Sequence, residues 1–305
     1  MKTTVVQSKR KRIWFIVNPF SGVKRKINFP KLIDQHLDQS IYDYQLFYTD
    51  HAGHATKLAE KAVREGVEVV VAVGGDGSVN EVAAALIGTD TTLGILPSGS
   101  GNGFAMHLGL GRNVEKAIEF LNQGNVVRVD SCLLNDRTFV NLAGVGFDAM
   151  VAYQLKKSSF RGFMAYLYHS IRTAWKYRPG KYTIHFDGKQ VERECLLVEV
   201  ANSAMFGYNF QIAPQAKLTD GLLEIIVVKK APIWRYLLSL WRFMNNSFHK
   251  SALAECYQAE KIQIVAEDEA YVHIDGEGFL SCHNLNFSIN KLSLQVLVPK
   301  TSQNL

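Results

Sequence analysis

Short apolar runs alternate with amphipathic segments from the start of the chain to about Asp130. The apolar runs are IWFIV, YDYQLFYT, VEVVVAV and TLGILP, and the intervening residues 54–65, 78–87 and 114–121 have helical periodicity. Strands and helices in this order predict an α/β domain with a doubly wound parallel sheet. Ligands of such domains bind at the carboxyl ends of the strands, and the glycine-rich turns of this chain fall there.

After about Val126 the pattern changes to β-rich segments separated by turn residues, among them KYTIHFDG, LLEIIVVKK and KIQIVAE. This pattern predicts an antiparallel β-sandwich, interrupted by helices over residues 160–177 and from 231 to about Cys256. We therefore expect two domains. Residues 1–128 form the α/β domain, which the tail 292–305 is a candidate to complete, and residues 129–291 form the β-rich domain.

The composition is that of a globular protein, with 305 residues of which 47% are apolar. No apolar segment reaches the length of a membrane span, and the four cysteines have no spacing that suits zinc or a disulfide framework. Both features favour a cytoplasmic protein. The net charge is +6, with basic runs at residues 9–12, 24–26 and 156–157. Such runs are usually solvated, but they could also face nucleotide phosphate, nucleic acid or an anionic membrane.

Three glycine-rich loops follow predicted strands at one end of the sheet. Residues 18–22 (NPFSG) follow the first strand, residues 74–80 (GGDGSVN) the third, and residues 97–103 (PSGSGNG) the fourth. Glycines let the backbone approach a ligand closely, and free N–H groups beside a helix start bind phosphate oxygens. Three such loops at one sheet edge predict a phosphate-binding site in which Asp76 supplies a single carboxylate.

Two common nucleotide-binding motifs are absent. Lys181 and Lys189 each follow a glycine, but neither precedes the Ser or Thr of a P-loop, and Phe104 stands where a dinucleotide-binding turn needs a small residue. The sequence therefore favours neither a P-loop enzyme nor a dehydrogenase. It also has no recognition helix or stacking motif, so we expect no nucleic-acid partner.

Seven motifs occur in one order along nearly the whole chain. They are NPFSG at 18–22, YTDHAGHA at 48–55, GGDGSVNE at 74–81, PSGSGN at 97–102, GVGFDA at 144–149, APQAKLTDGLL at 213–223 and HIDGE at 273–277. In these motifs and their order the chain resembles the diacylglycerol kinase catalytic-domain family. That family comprises bacterial lipid kinases and sphingosine kinases and shares its fold with NAD kinases.

The resemblance implies an ATP-dependent lipid kinase that uses Mg²⁺ and phosphorylates a lipid hydroxyl. Asp76 would lie close to the phosphates or the acceptor hydroxyl, and Asp275 or Glu277 would accept the proton. The residues implied for the ATP site are Asn18, Pro19, Ser21, Gly22, Thr49, Gly74, Gly75, Asp76, Gly77, Ser78, Asn80, Glu81, Ser98, Gly99, Ser100, Gly101 and Asn102. The remaining half, residues 129–291, would hold the lipid substrate.

The resemblance also implies a structural Mg²⁺ site. Its ligands would be the carboxylate of Asp220 and the backbone carbonyls of Lys217 and Leu222. Taken without the resemblance, Asp220 and Asp275 each precede a glycine, and both pairs are typical of tight turns.

The identity of the acceptor stays open between diacylglycerol and a sphingoid base. Many bacterial members have aspartate directly after the third-loop amide, where this chain has Gly103, and sphingosine kinases are more similar to this version. Two alternatives remain: an NAD kinase, which shares the GGDG loop, and a nucleotide- or lipid-binding module without catalysis. The NPFSG and PSGSGN loops fit the lipid branch better than NAD kinase.

Residues 233–243 predict a helix with two tryptophans and two arginines, a composition that suits a membrane interface. The alternative is a helix packed on its own sheet. We expect peripheral contact with anionic lipid, which would bring a cytoplasmic protein transiently to the inner membrane surface. The sequence leaves a homodimer open.

Overall fold

The computed structural model describes residues 10–22, 27–160, 162–208, 210–281, 283–300 and 302. The predicted basic run 24–26, together with Lys9 and Cys282, lies outside the described residues. Within them, Cys132 and Cys195 are buried free thiols and Cys256 is an exposed one.

The first half alternates strands and helices, and the second half is mainly strands. The first-half elements are β1 Lys11–Val17, α1 Phe29–His36, β2 Tyr42–Tyr48, α2 His54–Arg64, β3 Val69–Gly74, α3 Asp76–Leu86, β4 Thr92–Pro97, α4 Gly103–His107 and α5 Val114–Gln123. The next elements are β5 Asn125–Leu134, β6 Arg137–Phe139, β7 Leu142–Gly146, α6 Phe147–Lys157, α7 Phe163–Ala174, β8 Gly180–Phe186, β9 Lys189–Ala201, β10 Met205–Gly207 and β11 Phe210–Gln211. The last are β12 Leu223–Lys229, α8 Ile233–Met244, a 3₁₀ turn Phe248–Lys250, β13 Ala254–Ala259, β14 Lys261–Ala266, β15 Ala270–Ile274, β16 Glu277–Ser281 and β17 Asn284–Val298.

The predicted parallel sheet is confirmed, with strand order β4-β3-β1-β2. β3 and β4 are buried along their full length, as expected for strands covered on both faces. One face packs against α2 and α3 and the other against α1 and α5. All three glycine-rich loops therefore leave the sheet at the same edge, next to the start of α3 or α4.

The β-rich second half is also confirmed, and β17 connects it to the parallel sheet. The first residues of β17 pair with β14, most of its length pairs with β5, and Val296 lies opposite Leu93 in β4. The hydrogen-bonded sheet consequently runs without interruption from one half to the other. The predicted domain limits at residues 128 and 291 stay a prediction.

The prediction of a helix from residue 231 to about Cys256 is wrong for the residues after Met244. α8 ends at Met244, Asn246 has a positive φ of 55°, and Cys256 lies in β13, which pairs with β12. Asparagine accepts this left-handed conformation more readily than most residues, so it ends the helix. The pattern also missed α1 and α6.

A buried carboxylate joins the two halves. Asp275 forms the tight turn between β15 and β16, and its side chain accepts hydrogen bonds from the backbone N–H groups of Val140, Asn141 and Leu142 at 3.1, 3.0 and 3.0 Å. The fourth donor is Nδ2 of Asn80 in α3, at 2.8 Å. Burial raises the pKa of Asp275 to about 6, while these donors favour the ionised form. Four N–H donors to its two oxygens are the partners that an ionised carboxylate requires.

We expect Asp275→Asn to lower the free energy of unfolding by about 2–3 kcal/mol, because its amide NH₂ would point at N–H donors in a buried site. Asparagine tolerates the positive φ of 46° at this position, so the turn itself is retained. Urea unfolding measures the difference. Asp268→Asn, at an exposed carboxyl group, is the matched control, and equal destabilisation of both variants would contradict this role of Asp275.

Candidate active site

The first and third glycine-rich loops are in direct contact. The hydroxyl groups of Ser21 and Ser98 lie 3.0 Å apart. Gly22 has a φ of +70°, and a Cβ added there would lie 2.0 Å from the carbonyl oxygen of Ser98. Only glycine fits this position, since any side chain would collide with the backbone of the third loop.

The second and third loops are also joined. The backbone N–H groups of Ser98 and Gly99 donate to the carbonyl oxygen of Gly74 at 2.9 and 3.1 Å. Asn102 fixes the shape of the third loop, because its side-chain oxygen accepts from the N–H of Gly99 and its NH₂ donates to the carbonyl of Gly99. A Cβ at Gly99 would lie 2.3 Å from the Cα of Gly75.

Backbone donors remain available where the three loops meet. Across the described residues, the N–H groups of Gly75, Gly77, Ser100 and Gly101 donate no hydrogen bond in a loop, turn or side-chain contact. Two of them lie at the start of α3, where the helix dipole adds partial positive charge. Unused donors and a helix N-terminus form a site that fits the phosphates of a nucleotide.

Asp76 lies in the middle of this arrangement. Its Oδ1 accepts the backbone N–H of Phe104 at 3.3 Å, and a Cβ at Gly101 would lie 3.1 Å from its Oδ2. Burial raises the pKa of Asp76, and the N–H groups of residues 102–104 oppose that rise. The third loop thus holds the carboxylate in a fixed orientation.

The other predicted ATP-site residues fall into two groups. Nδ2 of Asn18 donates to the hydroxyl of Ser78 at 3.1 Å, which joins the first loop to α3, and Thr49 lies buried beside the end of β1. Glu81 points elsewhere. Its carboxylate oxygens accept the N–H groups of Gly53 and Ala55, so it caps the start of α2. Pro19 is exposed at the loop tip.

Glu277 reaches this loop region from the second half of the chain. A Cβ added at Gly77 would lie 2.7 Å from Oε1 of Glu277, and Nζ of Lys156 lies 3.6 Å from its Oε2. Gly77, Lys156 and Glu277 all line one cleft of about 330 Å³. Since 60% of the Glu277 side chain is exposed, its carboxylate is accessible to a molecule in the cleft.

Gly103 is enclosed by the second half of the chain. A Cβ there would lie 2.7 Å from Nδ2 of Asn141 and 2.8 Å from the carbonyl oxygen of Met205. The space that an aspartate side chain would need is therefore taken by these two residues. The replacement of the aspartate found in many bacterial members has a steric explanation in this chain.

A hairpin formed by β10 and β11 covers the third loop. A Cβ at Gly207 would lie 3.5 Å from the Cα of Gly101. The next residue, Tyr208, packs against Phe163 of α7 with 5.1 Å between ring centroids. Burial raises the pKa of Tyr208, an effect reduced by a hydrogen bond with Ser100. α7 consequently begins close to the loop that holds Asp76.

A buried cluster of three charged residues was not predicted as a site. Nε2 of His273 lies 2.7 Å from Oδ2 of Asp148 and 2.9 Å from Oε1 of Glu199. Burial opposes a charged ring, but the two acids outweigh it and raise the pKa of His273 well above its usual value. Burial, with Asp148 next to it, raises the pKa of Glu199. The sequence feature that could have revealed this cluster is Glu199, a charged residue within the apolar strand segment LLVEVA.

The residues of the implied structural Mg²⁺ site lie in one exposed turn. Oδ1 of Asp220 accepts the N–H of Leu222 at 3.0 Å, and its second oxygen takes no hydrogen bond within the described structure. The carbonyls of Lys217 and Leu222 likewise accept none from the described loops and turns. One carboxylate and two carbonyl oxygens are hard ligands that suit Mg²⁺.

Comparisons with known proteins show which families this chain is similar to. Residues 12–134 match the model of the diacylglycerol kinase catalytic domain, and residues 141–298 match that of the YegS C-terminal NAD kinase beta sandwich-like domain. The chain is 28% identical to a diacylglycerol kinase of Bacillus subtilis (strain 168) over 272 residues, covering 88% of this chain and 90% of the relative.

Two further relatives extend the comparison. The chain is 30% identical over 254 residues to a protein of Enterobacter sp. (strain 638) named "Probable lipid kinase YegS-like", covering 81% and 83% of the two chains. A crystal structure of a diacylglycerol kinase from Bacillus anthracis str. Sterne has a TM-score of 0.73 at 22% identity, covering 97% of this chain and 100% of that one, and so shares the fold. The chain therefore belongs to the diacylglycerol kinase catalytic-domain family, in the branch whose second half is a YegS-type C-terminal domain.

Proposed function

We propose that this chain is an ATP-dependent lipid kinase that transfers the γ-phosphate to a hydroxyl of diacylglycerol or a sphingoid base. One observation carries the proposal: Glu277 of the second half lies against Gly77, directly after Asp76, at the start of α3. The carboxylates of Asp76 and Glu277 thus both belong to the start of α3, where backbone donors are unused. Phosphoryl transfer requires alignment, charge neutralisation and a group that receives the alcohol proton, and this arrangement can provide all three.

The loops provide the binding part of the reaction. The N–H groups of Gly75, Gly77, Ser100 and Gly101 would hold phosphate oxygens, and the hydroxyls of Ser21 and Ser98 lie at the same edge. Mg²⁺ bound with ATP would neutralise charge on the phosphates, and Asp76 is the carboxylate placed to orient it. A second Mg²⁺, held by Lys217, Asp220 and Leu222, would stabilise the turn before β12.

We infer that Glu277, rather than Asp275, receives the proton of the acceptor hydroxyl. Both oxygens of Asp275 already accept two N–H donors each, so no lone pair faces the cleft. Glu277 is exposed, and its only ion-pair partner among the described residues is Lys156. Asp275 would act as a positioning residue because its turn leads directly into Glu277.

Two helices give the protein a surface suited to a bilayer, which would supply the acceptor. In α8 the exposed apolar residues recur on one stripe, and α7 has the same arrangement. They are Ile233, Trp234, Leu237, Leu238 and Trp241 in α8, and Phe163, Met164, Leu167, Tyr168, Ile171 and Trp175 in and just after α7. Ordinary surface helices turn such a stripe inward, so outward stripes on two helices favour an interaction surface.

This contact would be peripheral. None of the described helices has the length and apolar content needed to cross a bilayer. Arg235 and Arg242 accompany the α8 stripe, and cations beside exposed tryptophans favour the interface of an anionic membrane. We therefore propose transient association with an anionic membrane surface through α7 and α8.

The proposed activity predicts a labelled lipid after incubation of the protein with labelled ATP, Mg²⁺ and a mixed lipid extract. Identification of the product by mass spectrometry would name the acceptor. We expect Asp76→Asn to lower turnover by at least about 10³-fold, because it removes the charge at the centre of the loops.

Asp43→Asn, an exposed carboxyl in β2, is the control and should retain full turnover with an unchanged melting temperature. Phosphorylation of NAD, with no lipid phosphorylated, would show that the chain is an NAD kinase instead. Nucleotide binding without any labelled product would favour the non-catalytic module.

A second prediction separates the two acids of the HIDGE motif. We expect Glu277→Gln to lower kcat by about 10²–10⁴-fold without loss of thermal stability, because the exposed amide cannot receive a proton. Glu269→Gln, an exposed acid in the turn before β15, is the matched control. Full activity of Glu277→Gln, together with inactivity of a folded Asp275→Asn, would assign the proton to Asp275 instead.

The proposed membrane contact predicts co-sedimentation with vesicles that contain acidic phospholipid, weakening as salt rises. We expect Trp234→Ser/Trp241→Ser to lower the partition coefficient by at least about tenfold, since both substitutions remove apolar area that the bilayer would bury, at about 25 cal/mol per Å². Tyr48→Ser/Val126→Ser removes exposed apolar residues from the first half as a control. Binding that is independent of acidic lipid would contradict the proposal.

A further inference from the structure

A second pocket, of about 380 Å³, lies between the C-terminal ends of α6 and α7. Its lining includes Gln154 and Lys157 of α6 and His169, Arg172 and Lys176 in or just after α7. It shares no lining residue with the cleft at Glu277. Three cations and a histidine therefore converge on a cavity for which the proposed reaction has no use.

The positive charge of this pocket is not compensated by the protein. In the described structure no carboxylate oxygen lies within 4.0 Å of the charged nitrogens of Lys157, Arg172 or Lys176. Neighbouring cations do have partners, since Lys156 pairs with Glu277 and Lys181 with Glu267. Nζ of Lys157 lies 4.1 Å from the centroid of the Tyr153 ring, a cation–π contact that leaves the charge in place.

His169 provides the observation that points to a ligand. Its side chain is on the inner face of α7, only 9% exposed, and Nδ1 has no hydrogen-bond partner in the described part of the chain. A buried polar atom without a partner costs free energy unless something binds it. Because this ring also lines the pocket, an oxygen atom entering there would supply the missing partner.

The surroundings indicate which oxygen-bearing group fits. The same helix that provides His169 and Arg172 carries the outward apolar stripe from Phe163 to Trp175. Trp175, which is 84% exposed, lies between the two cations Arg172 and Lys176 in sequence. Arg172 borders the stripe on the helix surface, so the pocket lies at the flank of the apolar surface of α7.

We propose that this pocket binds the phosphate group of one anionic phospholipid, at a site separate from the acceptor lipid. The inference rests on the proposed contact of α7 and α8 with a bilayer, and it adds a defined headgroup to that contact. Lys157, Arg172 and Lys176 supply the charge, and His169 donates or accepts the hydrogen bond that it lacks in the free protein. Interfaces held by two such signals bind membranes more firmly than either alone.

A purely structural role of these cations makes a different prediction. Lysine and arginine in the last turn of a helix also stabilise its negatively polarised end. In that case Arg172→Ala/Lys176→Ala would lower the melting temperature and leave phosphate binding unchanged. Measurement of both quantities on one variant separates the two roles.

The test is calorimetric titration of the full chain, without ATP, with dioctanoyl phosphatidylserine below its micelle concentration, since this anionic lipid is not a product of the proposed reaction. We expect saturable binding with one site, at least tenfold tighter than that of dioctanoyl phosphatidylcholine. Arg172→Ala/Lys176→Ala should weaken it at least tenfold. Lys57→Ala/Lys116→Ala, which removes the same charge from exposed positions on α2 and α5, should leave it unchanged.

His169→Gln gives a second check, and we expect it to weaken binding of the phosphatidylserine at least threefold. Equal affinity for inorganic phosphate would overturn the phospholipid as the ligand, and an unchanged affinity of the double variant would overturn the pocket. Because no acceptor or nucleotide is present, failure of this test leaves kinase activity untouched. Conversely, an inactive protein that binds phosphatidylserine in this way would refute only the proposed reaction.

Discussion

The position of the cleft depends on one buried carboxylate. Asp275 accepts four N–H groups, three from residues 140–142 at the start of β7 and one from Asn80 of α3. An ionised carboxylate needs such donors when it is removed from water, so the two halves must present them together. The hairpin that contains Asp275 then starts β16 with Glu277, which fixes this acid against Gly77. The hydrogen bonds of Asp275 thereby determine the position of the Glu277 carboxylate.

The part of the site that we propose binds phosphate is built almost entirely from backbone. Gly22, Gly99 and Gly101 lie so close to the carbonyl of Ser98, the Cα of Gly75 and the carboxylate of Asp76 that a Cβ would crowd each contact. The absence of side chains lets three loops from three different strands share one volume. Backbone donors are rigid, and rigid donors lose little entropy when they bind a charged group. This explains why so few side chains converge on the loops apart from Asp76.

The sequence predicted the local elements and the loops well because their signals are local. Buried runs such as VVVAVG, followed by Gly-Gly-Asp-Gly, specify a strand, a turn and a helix start within a dozen residues. Contacts over long separations could not be predicted in the same way. Nothing near Glu81 in the sequence shows that it caps α2, and nothing near Asp275 shows that both its oxygens are occupied. The cluster of Asp148, Glu199 and His273 is likewise assembled from three separate elements.

The outward apolar stripes of α7 and α8 are best understood together with the hairpin between β10 and β11. Phe163 of α7 packs on Tyr208 in this hairpin, which in turn covers Gly101 beside Asp76, and α8 contacts β11. A lipid leaving a bilayer at these helices would therefore meet the loop that orients Asp76 after crossing only one hairpin. Helices that expose tryptophan and leucine to water are costly in solution. That cost is understandable if the same surface delivers an apolar acceptor to a site whose remaining groups are charged.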